Sequence, residues 1–176
     1  MESLAQSLLL WIASHSQYSV DNIPVPTVLF LTPQEITAEY YGHHTELIPH
    51  SGIDDRVLAL YDATAGDAGI IYLHREVSDW NSTATMKTDS IANTDPLSKV
   101  AKSDLQIIKS DPVLMERLLH ELVHHVQFQT GEMEKFPCRA YGEKEAYRLG
   151  GLFFKKRYIE DPMPNRNFWA HVYSRC

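Results

Sequence analysis

The residues best suited to chemistry in this chain are two histidines and a glutamate in the run His120-Glu121-Leu122-Val123-His124. Histidines four apart on a helix lie one above the other, so their ring nitrogens can converge on one metal ion. Glu121 follows the first histidine and can take a proton from a water molecule beside that ion. The pattern predicts a zinc site with His120 and His124 as ligands and Glu121 as the catalytic base.

The predicted helix around this motif has clear ends. Asp111 is a favoured N-cap residue, Pro112 suits the first helical position, and Gly131 is a typical residue after a helix C-terminus. Apolar residues recur at helical spacing on the side away from the histidines, so we expect this face of the helix to be buried. These residues are Met115, Leu119, Leu122 and Val126.

Two non-catalytic interpretations of this motif stay open. The histidines can be core residues bonded to backbone carbonyls, or they can hold a structural zinc. A structural zinc site normally has four protein ligands, mostly Cys and His, and Cys138 and Cys176 have no suitable spacing for one. An open catalytic site is therefore favoured, and it needs a third protein ligand.

The third ligand has to come from outside the motif. Gln127 and Thr130 stand where the longer HExxHxxGxxH pattern has its Gly and last His, which excludes that pattern. The next predicted helix, residues 140–158, offers Glu143 and Glu145, which point about 200° apart. We predict Glu145 as the ligand, because it shares a helix face with Tyr141, Leu149 and Leu152. Glu143 is expected to be a solvated charge, and Gly150-Gly151 to let the two helices approach closely.

The segments HELVHHVQFQTG and EKEAYRLGG resemble those of gluzincin zinc metallopeptidases, in which HExxH is joined by a downstream Glu. They are closest to small bacterial metallopeptidases with HELxHxxQ followed by ExEA. Over about residues 111–155 the resemblance implies zinc bound by His120, His124 and Glu145, with Glu121 as the base. It also implies that an extended substrate lies along an edge strand such as residues 69–74. Tyr147, Arg148 and Leu149 occupy the places where relatives carry an Asp that bonds a zinc histidine, so that support must come from elsewhere.

A further group of residues is considered for roles around the reaction. In gluzincins a Tyr or His stabilises the oxyanion, and Tyr141, Tyr147 and His171 are candidates, of which Tyr141 on the face of Glu145 is preferred. Arg117 lies one turn before His120 and either forms a surface ion pair or binds a substrate carboxylate. His125 points away from His120 and is expected to pack or to support a ligand.

The other elements predict an α+β fold in a single zincin-like domain spanning residues 1–176. Residues 2–15 form an amphipathic helix, residues 27–31 a strand, and Thr32-Pro33 opens a helix to about Tyr41. Residues 56–63 and 67–74 form a β-hairpin around Thr64-Ala65-Gly66. We expect a small antiparallel sheet packed on the HExxH helix and the third-ligand helix. The polar stretch 78–110 is expected to be a loop or flap beside the cleft.

Composition restricts the partners of this 176-residue chain. Its net charge is -7 and it has no Lys/Arg block, so nucleic-acid binding is not expected. Its longest apolar run is too short to insert into a membrane. The first residues lack a signal-peptide pattern, so the chain as written is cytoplasmic unless a signal was removed. Cys138 and Cys176 are either bridged or two free thiols.

These observations predict a zinc-dependent metallopeptidase whose substrate is a peptide or protein. Two alternatives are a non-catalytic zinc-binding module for structure or partner binding, and a zinc hydrolase of a non-peptide amide. Oligomeric state and cleavage specificity are left open by the sequence.

Overall fold

A computed structural model describes residues 2–42, 44–74 and 109–176 of the chain. Nearly all of the expected flap, residues 78–110, lies outside these ranges, as does His43. The described elements in chain order are α1 (Glu2–His15), β1 (Thr27–Leu31), α2 (Pro33–Tyr41), β2 (Ala59–Asp62), β3 (Ile70–His74), α3 (Pro112–Gln129), α4 (Glu143–Lys156) and α5 (Arg166–Tyr173). The described part of the fold is therefore α+β, as predicted.

Helix α3 carries the HExxH motif, and its N-terminus is capped as predicted. The Asp111 carboxylate accepts hydrogen bonds from the amides of Val113 (2.9 Å) and Leu114 (3.1 Å). These bonds satisfy two of the amide groups that a helix leaves unpaired at its N-terminus. The helix begins at Pro112, so the register of the two histidines follows directly from the sequence.

The three-stranded sheet has the order β1-β3-β2. The predicted hairpin is confirmed, since β2 pairs antiparallel with β3. The prediction of a wholly antiparallel sheet is wrong, because β1 pairs parallel with β3. Helix α2 and the following loop separate β1 from the hairpin, and such a crossover is what parallel pairing requires.

Strand β3 lies at the centre of the sheet, so its expected likeness to an edge strand is wrong. Its residues Ile71, Tyr72 and Leu73 are all buried, as is usual for a strand with neighbours on both sides. Strand β2 is the edge strand that lies against α3. The uninterrupted apolar run of β3 is a sequence feature that indicates this central position.

The hydrophobic core is built around α3, which packs against α1 and α4. This packing removes apolar surface from water and so fixes the position of the helix that carries the motif. The largest fully buried side chains of the core include Leu9 and Ile12 of α1, Leu118, Leu119 and Leu122 of α3, and Leu149, Phe153 and Phe154 of α4.

A disulfide joins Cys138 to Cys176, which decides between the two states that the sequence leaves open. Cys138 directly precedes a short 3-10 helix, Arg139–Gly142, that leads into α4. The bridge therefore ties the last residue of the chain to the segment that precedes Glu143. Among the described residues, no helix has the length and apolar character needed to cross a membrane.

Candidate metal centre

Three side chains from α3 and α4 bring potential ligand atoms together. His120 Nε2 lies 3.1 Å from Glu143 Oε2, and His124 Nε2 lies 3.3 Å from Glu143 Oε1. The two ring nitrogens are 3.2 Å apart. Ligands about 2.0 Å from a tetrahedral zinc ion are separated from each other by about 3.3 Å. The spacing of the two ring nitrogens fits two such ligands, and each of them lies at a similar distance from one oxygen of the Glu143 carboxylate.

Glu143 lies beside the histidines, and the structure does not place the predicted third ligand, Glu145, at the cluster. Glu145 instead forms a two-bond ion pair with Arg148, at 2.6 and 2.8 Å. Helix α4 begins only at Glu143, so Tyr141 precedes it and does not continue its periodicity. The buried face is formed by Ala146, Leu149, Gly150, Phe153 and Phe154. Glu143 lies three residues before Ala146 and therefore belongs to this face.

Glycine at position 150 is the sequence feature that could have identified Glu143. Gly150 lies seven residues after Glu143 on the same face of α4. A side chain added at Gly150 would collide with the Glu116 carboxylate of α3. This close approach marks the line along which the two helices meet, and Glu143 lies on that line.

Gln127 contacts both His124 and the residue before Glu143, a role that the sequence pattern did not predict. Its Oε1 lies 3.0 Å from His124 Nδ1, where it can accept a hydrogen bond from that nitrogen and so leave Nε2 to face the cluster. Its Nε2 donates to the carbonyl of Gly142, the residue before Glu143, at 3.0 Å. A β-carbon at Gly142 would come within 2.6 Å of Gln127 Oε1 and would displace the Gln127 side chain. Gln127 thus contacts His124 in the way expected of the supporting residue that positions 147 to 149 do not provide.

Glu121 is buried beside the cluster, on the wall of a cleft with a volume of about 730 Å³. Burial raises the pKa of its carboxyl group, while the nearby His120 and His124 oppose this rise. The backbone amide of Tyr61 in β2 faces the same carboxylate. Glu121 thus combines the position and the raised proton affinity that suit a general base.

The cluster attracts protons strongly when no metal is bound. Burial lowers the pKa of His124, but its hydrogen bonds to Glu143 and Gln127 and the negative charges of Glu143 and Glu121 together outweigh burial and raise the pKa to about 9. Burial likewise raises the pKa of Glu143, but hydrogen bonds from His120 and His124 hold it well below its ordinary value. The carboxylate therefore needs a positive partner, which is either a proton on the histidines or a cation bound between the three side chains.

Tyr147, rather than the preferred Tyr141, lies at the cluster. The ring of Tyr147 packs edge-on against His120, with centroids 5.0 Å apart, and it lines the cleft. Burial and the nearby Glu143 raise the pKa of its hydroxyl group, which keeps it a hydrogen-bond donor at neutral pH. Tyr141 is exposed and packs against Phe136, and His171 is exposed on α5, so neither is placed at the cluster.

The remaining histidines do not contribute to the described cleft. His125 is fully buried and binds Tyr61 and the Pro24 carbonyl, at 3.0 and 2.8 Å. It therefore packs α3 against the sheet, as predicted. Within the described ranges, His44, His50 and His74 are not among the residues that line the cleft.

A second buried polar cluster lies one helical turn before the histidines. Arg166 of α5 donates to Glu116 of α3 at 2.8 Å and to both oxygens of Asp161, at 2.6 and 2.8 Å. Glu116, His120 and His124 are spaced by four residues and lie on one face of α3. Arg166 also packs over the ring of Phe154 in α4. The cluster thus joins α3, α4 and α5 beside the candidate metal centre.

Among the described strands, β2 lies at the edge of the sheet that borders the cleft. The Leu58 carbonyl accepts a hydrogen bond from the His74 amide at 2.9 Å. Pairing alternates along an antiparallel strand, so the backbone groups of Ala59 and Tyr61 point away from β3. Ala59 lines the cleft, and Tyr61 faces Glu121. The edge strand and the candidate base therefore border the same space.

Comparisons with protein-family models, curated proteins and solved structures find no match to this chain. The interpretation of the site therefore depends on its own geometry and chemistry.

Proposed function

We propose that this chain is a zinc-dependent metallopeptidase of the gluzincin type, with His120, His124 and Glu143 as the metal ligands. The observation that carries the proposal is the convergence of two ring nitrogens and a carboxylate, all within 4.8 Å of one another, next to Glu121. Two nitrogens and one oxygen form a donor set that suits zinc, whereas calcium and magnesium favour oxygen ligands.

An open catalytic site agrees better with the cluster than a structural one does. Structural zinc is held by four protein ligands, mostly cysteine and histidine. In the part of the chain that the structure describes, the group contains only His120, His124 and Glu143. Both cysteines are joined to each other and are not available as ligands. His120 and Glu143 border the cleft, so a fourth position would face the substrate.

Zinc held there would supply Lewis acidity toward a water molecule and toward the carbonyl group of the scissile bond. In the proposed reaction Glu121 takes a proton from the attacking water and returns it to the leaving amine. Tyr147 donates a hydrogen bond to the oxygen on which negative charge develops. Gln127 keeps the His124 ring in the orientation and tautomer that ligation requires.

The edge position of β2 in the described sheet favours a peptide over a non-peptide amide. An extended peptide can add to an exposed strand through main-chain hydrogen bonds, and the outward groups of Ala59 are the available ones. Because Tyr61 faces Glu121, a chain bound along this edge would pass the candidate base. Hydrolysis of a peptide bond is therefore the reaction that best fits the cleft.

The decisive experiment compares Glu121→Gln with the wild-type chain after both are loaded with zinc. Hydrolysis of a mixed peptide library, followed by mass spectrometry, is expected to fall by about 100-fold or more, because the variant has no base. Zinc content should remain near one ion per chain, since Glu121 is not a proposed ligand. Glu39→Gln, an equivalent change at an exposed site on α2, is the control and should leave turnover unchanged.

Each result separates the proposal from its alternatives. Turnover that is blocked by a chelator and lost only in Glu121→Gln supports the peptidase. Zinc binding without turnover of peptides or simple amides would indicate a non-catalytic zinc module. Turnover of amides but not peptides would indicate a zinc hydrolase of a non-peptide amide.

A further inference from the structure

Arg117 occupies a distinct place in the cleft wall. It is half-buried, lines the cleft, and lies one turn before His120 and Glu121 on α3. Its guanidinium group forms no hydrogen bond or ion pair with any residue in the described ranges. A long cation that is partly removed from water, and that forms no ion pair within the described ranges, is available to a charged ligand.

The other arginines of the cleft are already neutralised. Arg56 binds both oxygens of the buried Asp54, at 2.7 and 2.8 Å. Arg166 is held by Glu116 and Asp161. Among the arginines that line the described cleft, Arg117 alone lacks a carboxylate partner. A negative group entering the cleft therefore meets one unpaired guanidinium.

We propose that Arg117 binds a carboxylate of the substrate, so that the cleft prefers peptides with an acidic group a short distance from the cleaved bond. This inference rests on the proposed function. A guanidinium group can hold a carboxylate through two parallel hydrogen bonds, which adds orientation to affinity.

Helix geometry gives the approximate separation of the two groups. Residue 117 lies three and four positions before His120 and Glu121, which is about 4.5 to 6 Å along the helix axis. Its side chain extends further toward the helix N-terminus. An extended peptide spans about 3.3 Å per residue. The bound carboxylate is therefore expected a few residues from the reacting carbonyl, on either the chain terminus or an Asp or Glu side chain.

The test uses three pools of short peptides with randomised central residues. One pool ends in a free carboxylate, one is amidated, and one is amidated with a single Glu near its end. Binding is measured by calorimetry with zinc-loaded Glu121→Gln protein, and turnover with zinc-loaded wild-type protein. We expect carboxylate-bearing peptides to bind about 10- to 100-fold more tightly than fully amidated ones. The first and third pools distinguish a terminal carboxylate from a side-chain carboxylate.

The variant Arg117→Gln, added to the Glu121→Gln protein, should abolish this preference, and Arg117→Lys should restore part of it. Lys144→Gln, which removes an exposed charge next to Glu143, is the matched control and should keep the full preference. Circular dichroism checks that each variant folds. Equal binding of all pools, or a preference that survives Arg117→Gln, would overturn the inference.

The two proposals fail in different ways. Turnover without a carboxylate preference overturns the role of Arg117 and leaves the peptidase proposal standing. Carboxylate-dependent binding without turnover supports Arg117 and contradicts the peptidase. No binding of any pool contradicts the role of Arg117.

Discussion

Two polar clusters lie one turn apart on the same face of α3, and they balance charge in different ways. At Glu116 the buried carboxylate is met by the guanidinium group of Arg166, which also holds Asp161. At Glu143 the carboxylate is met by two histidine rings whose charge depends on protonation. The first cluster contains its own permanent cation, whereas the second must acquire one from solution.

The difference separates a cluster that is ion-paired within the chain from a candidate metal site. Arg166 remains charged at all accessible pH values, so the first cluster is complete in the folded chain. The second cluster places nitrogen lone pairs and a carboxylate around one point, where like-charged or unpaired groups are costly unless a cation is present. A metal ion can meet this requirement more fully than a proton, because it contacts all three ligands simultaneously.

The largest expected effect comes from removing the carboxylate of the second cluster. Glu143→Ala should lose zinc during dialysis, with an affinity loss exceeding the 10- to 100-fold that is usual for residues that only support ligands. Glu145→Ala should keep about one ion per chain, because Glu145 binds Arg148. Zinc stoichiometry by mass spectrometry tests both variants. Retention by Glu143→Ala together with loss by Glu145→Ala would restore the original prediction.

Breaking the first cluster should lower the stability of the fold rather than the affinity for metal. Arg166→Met leaves Glu116 buried without its cation, and is expected to lower the free energy of unfolding by about 3 to 5 kcal/mol. Arg157→Met is the matched control, because Arg157 is exposed and packs over Phe153 much as Arg166 packs over Phe154. Urea denaturation measures both. Equal destabilisation by the two variants would show that the ion pairs of Arg166 contribute little.

Gln127→Leu tests the support behind the ligands. It removes the acceptor for His124 Nδ1 and the bond to Gly142, so zinc affinity should fall by about 10- to 100-fold. Gln129→Leu changes the same residue type on the same helix without touching a ligand. Competition with a fluorescent chelator gives both affinities. An unchanged affinity in Gln127→Leu would mean that His124 is oriented by packing alone.

The smallest effect is a dependence on pH. The pKa of His124 is raised to about 9 in the metal-free chain, so this ring carries a proton at pH 7.5 that zinc must displace. Zinc affinity should therefore rise by about tenfold per pH unit until pH 9, with release of about one proton. Calorimetry in buffers of different ionisation enthalpy measures the release. No proton release at pH 7.5 would contradict a protonated His124.

The same pKa shift has a consequence for the metal-free fold. A raised histidine pKa contributes stability that is present below the ordinary value of about 6.5 and is lost as pH rises through about 9. The metal-free chain should lose thermal stability across this window. The zinc-loaded chain should not show the same loss, since its cation does not titrate there.

The sheet illustrates the limit of local patterns. The strand at residues 27–31 and the hairpin were predictable, because β-branched and apolar runs and turn residues are local signals. Parallel pairing of β1 with β3 was not predictable in this way, since it depends on where α2 and the following loop return the chain. The likeness of residues 69–74 to an edge strand was wrong for the same reason, because the position of β3 between β1 and β2 depends on that return.

The choice between Glu143 and Glu145 shows the same limit at the site. Their separation of two residues ensures that only one of them reaches the histidines. Which one does so depends on where α4 begins and which of its faces meets α3, and both follow from packing around Gly142 and Gly150. The supporting role of Gln127 also depends on this contact, because it reaches Gly142 from the other helix.

The sequence by itself determined the spacing of His120 and His124, the capped helix that presents them and the presence of Glu121 beside them, because helical periodicity and N-capping act within a few residues. Only the tertiary structure decided that Glu143 completes the group, that Gln127 supports it, and that Tyr147 and Arg117 border the cleft. These contacts join segments that are distant in sequence, and their geometry follows from how the helices and the sheet pack together.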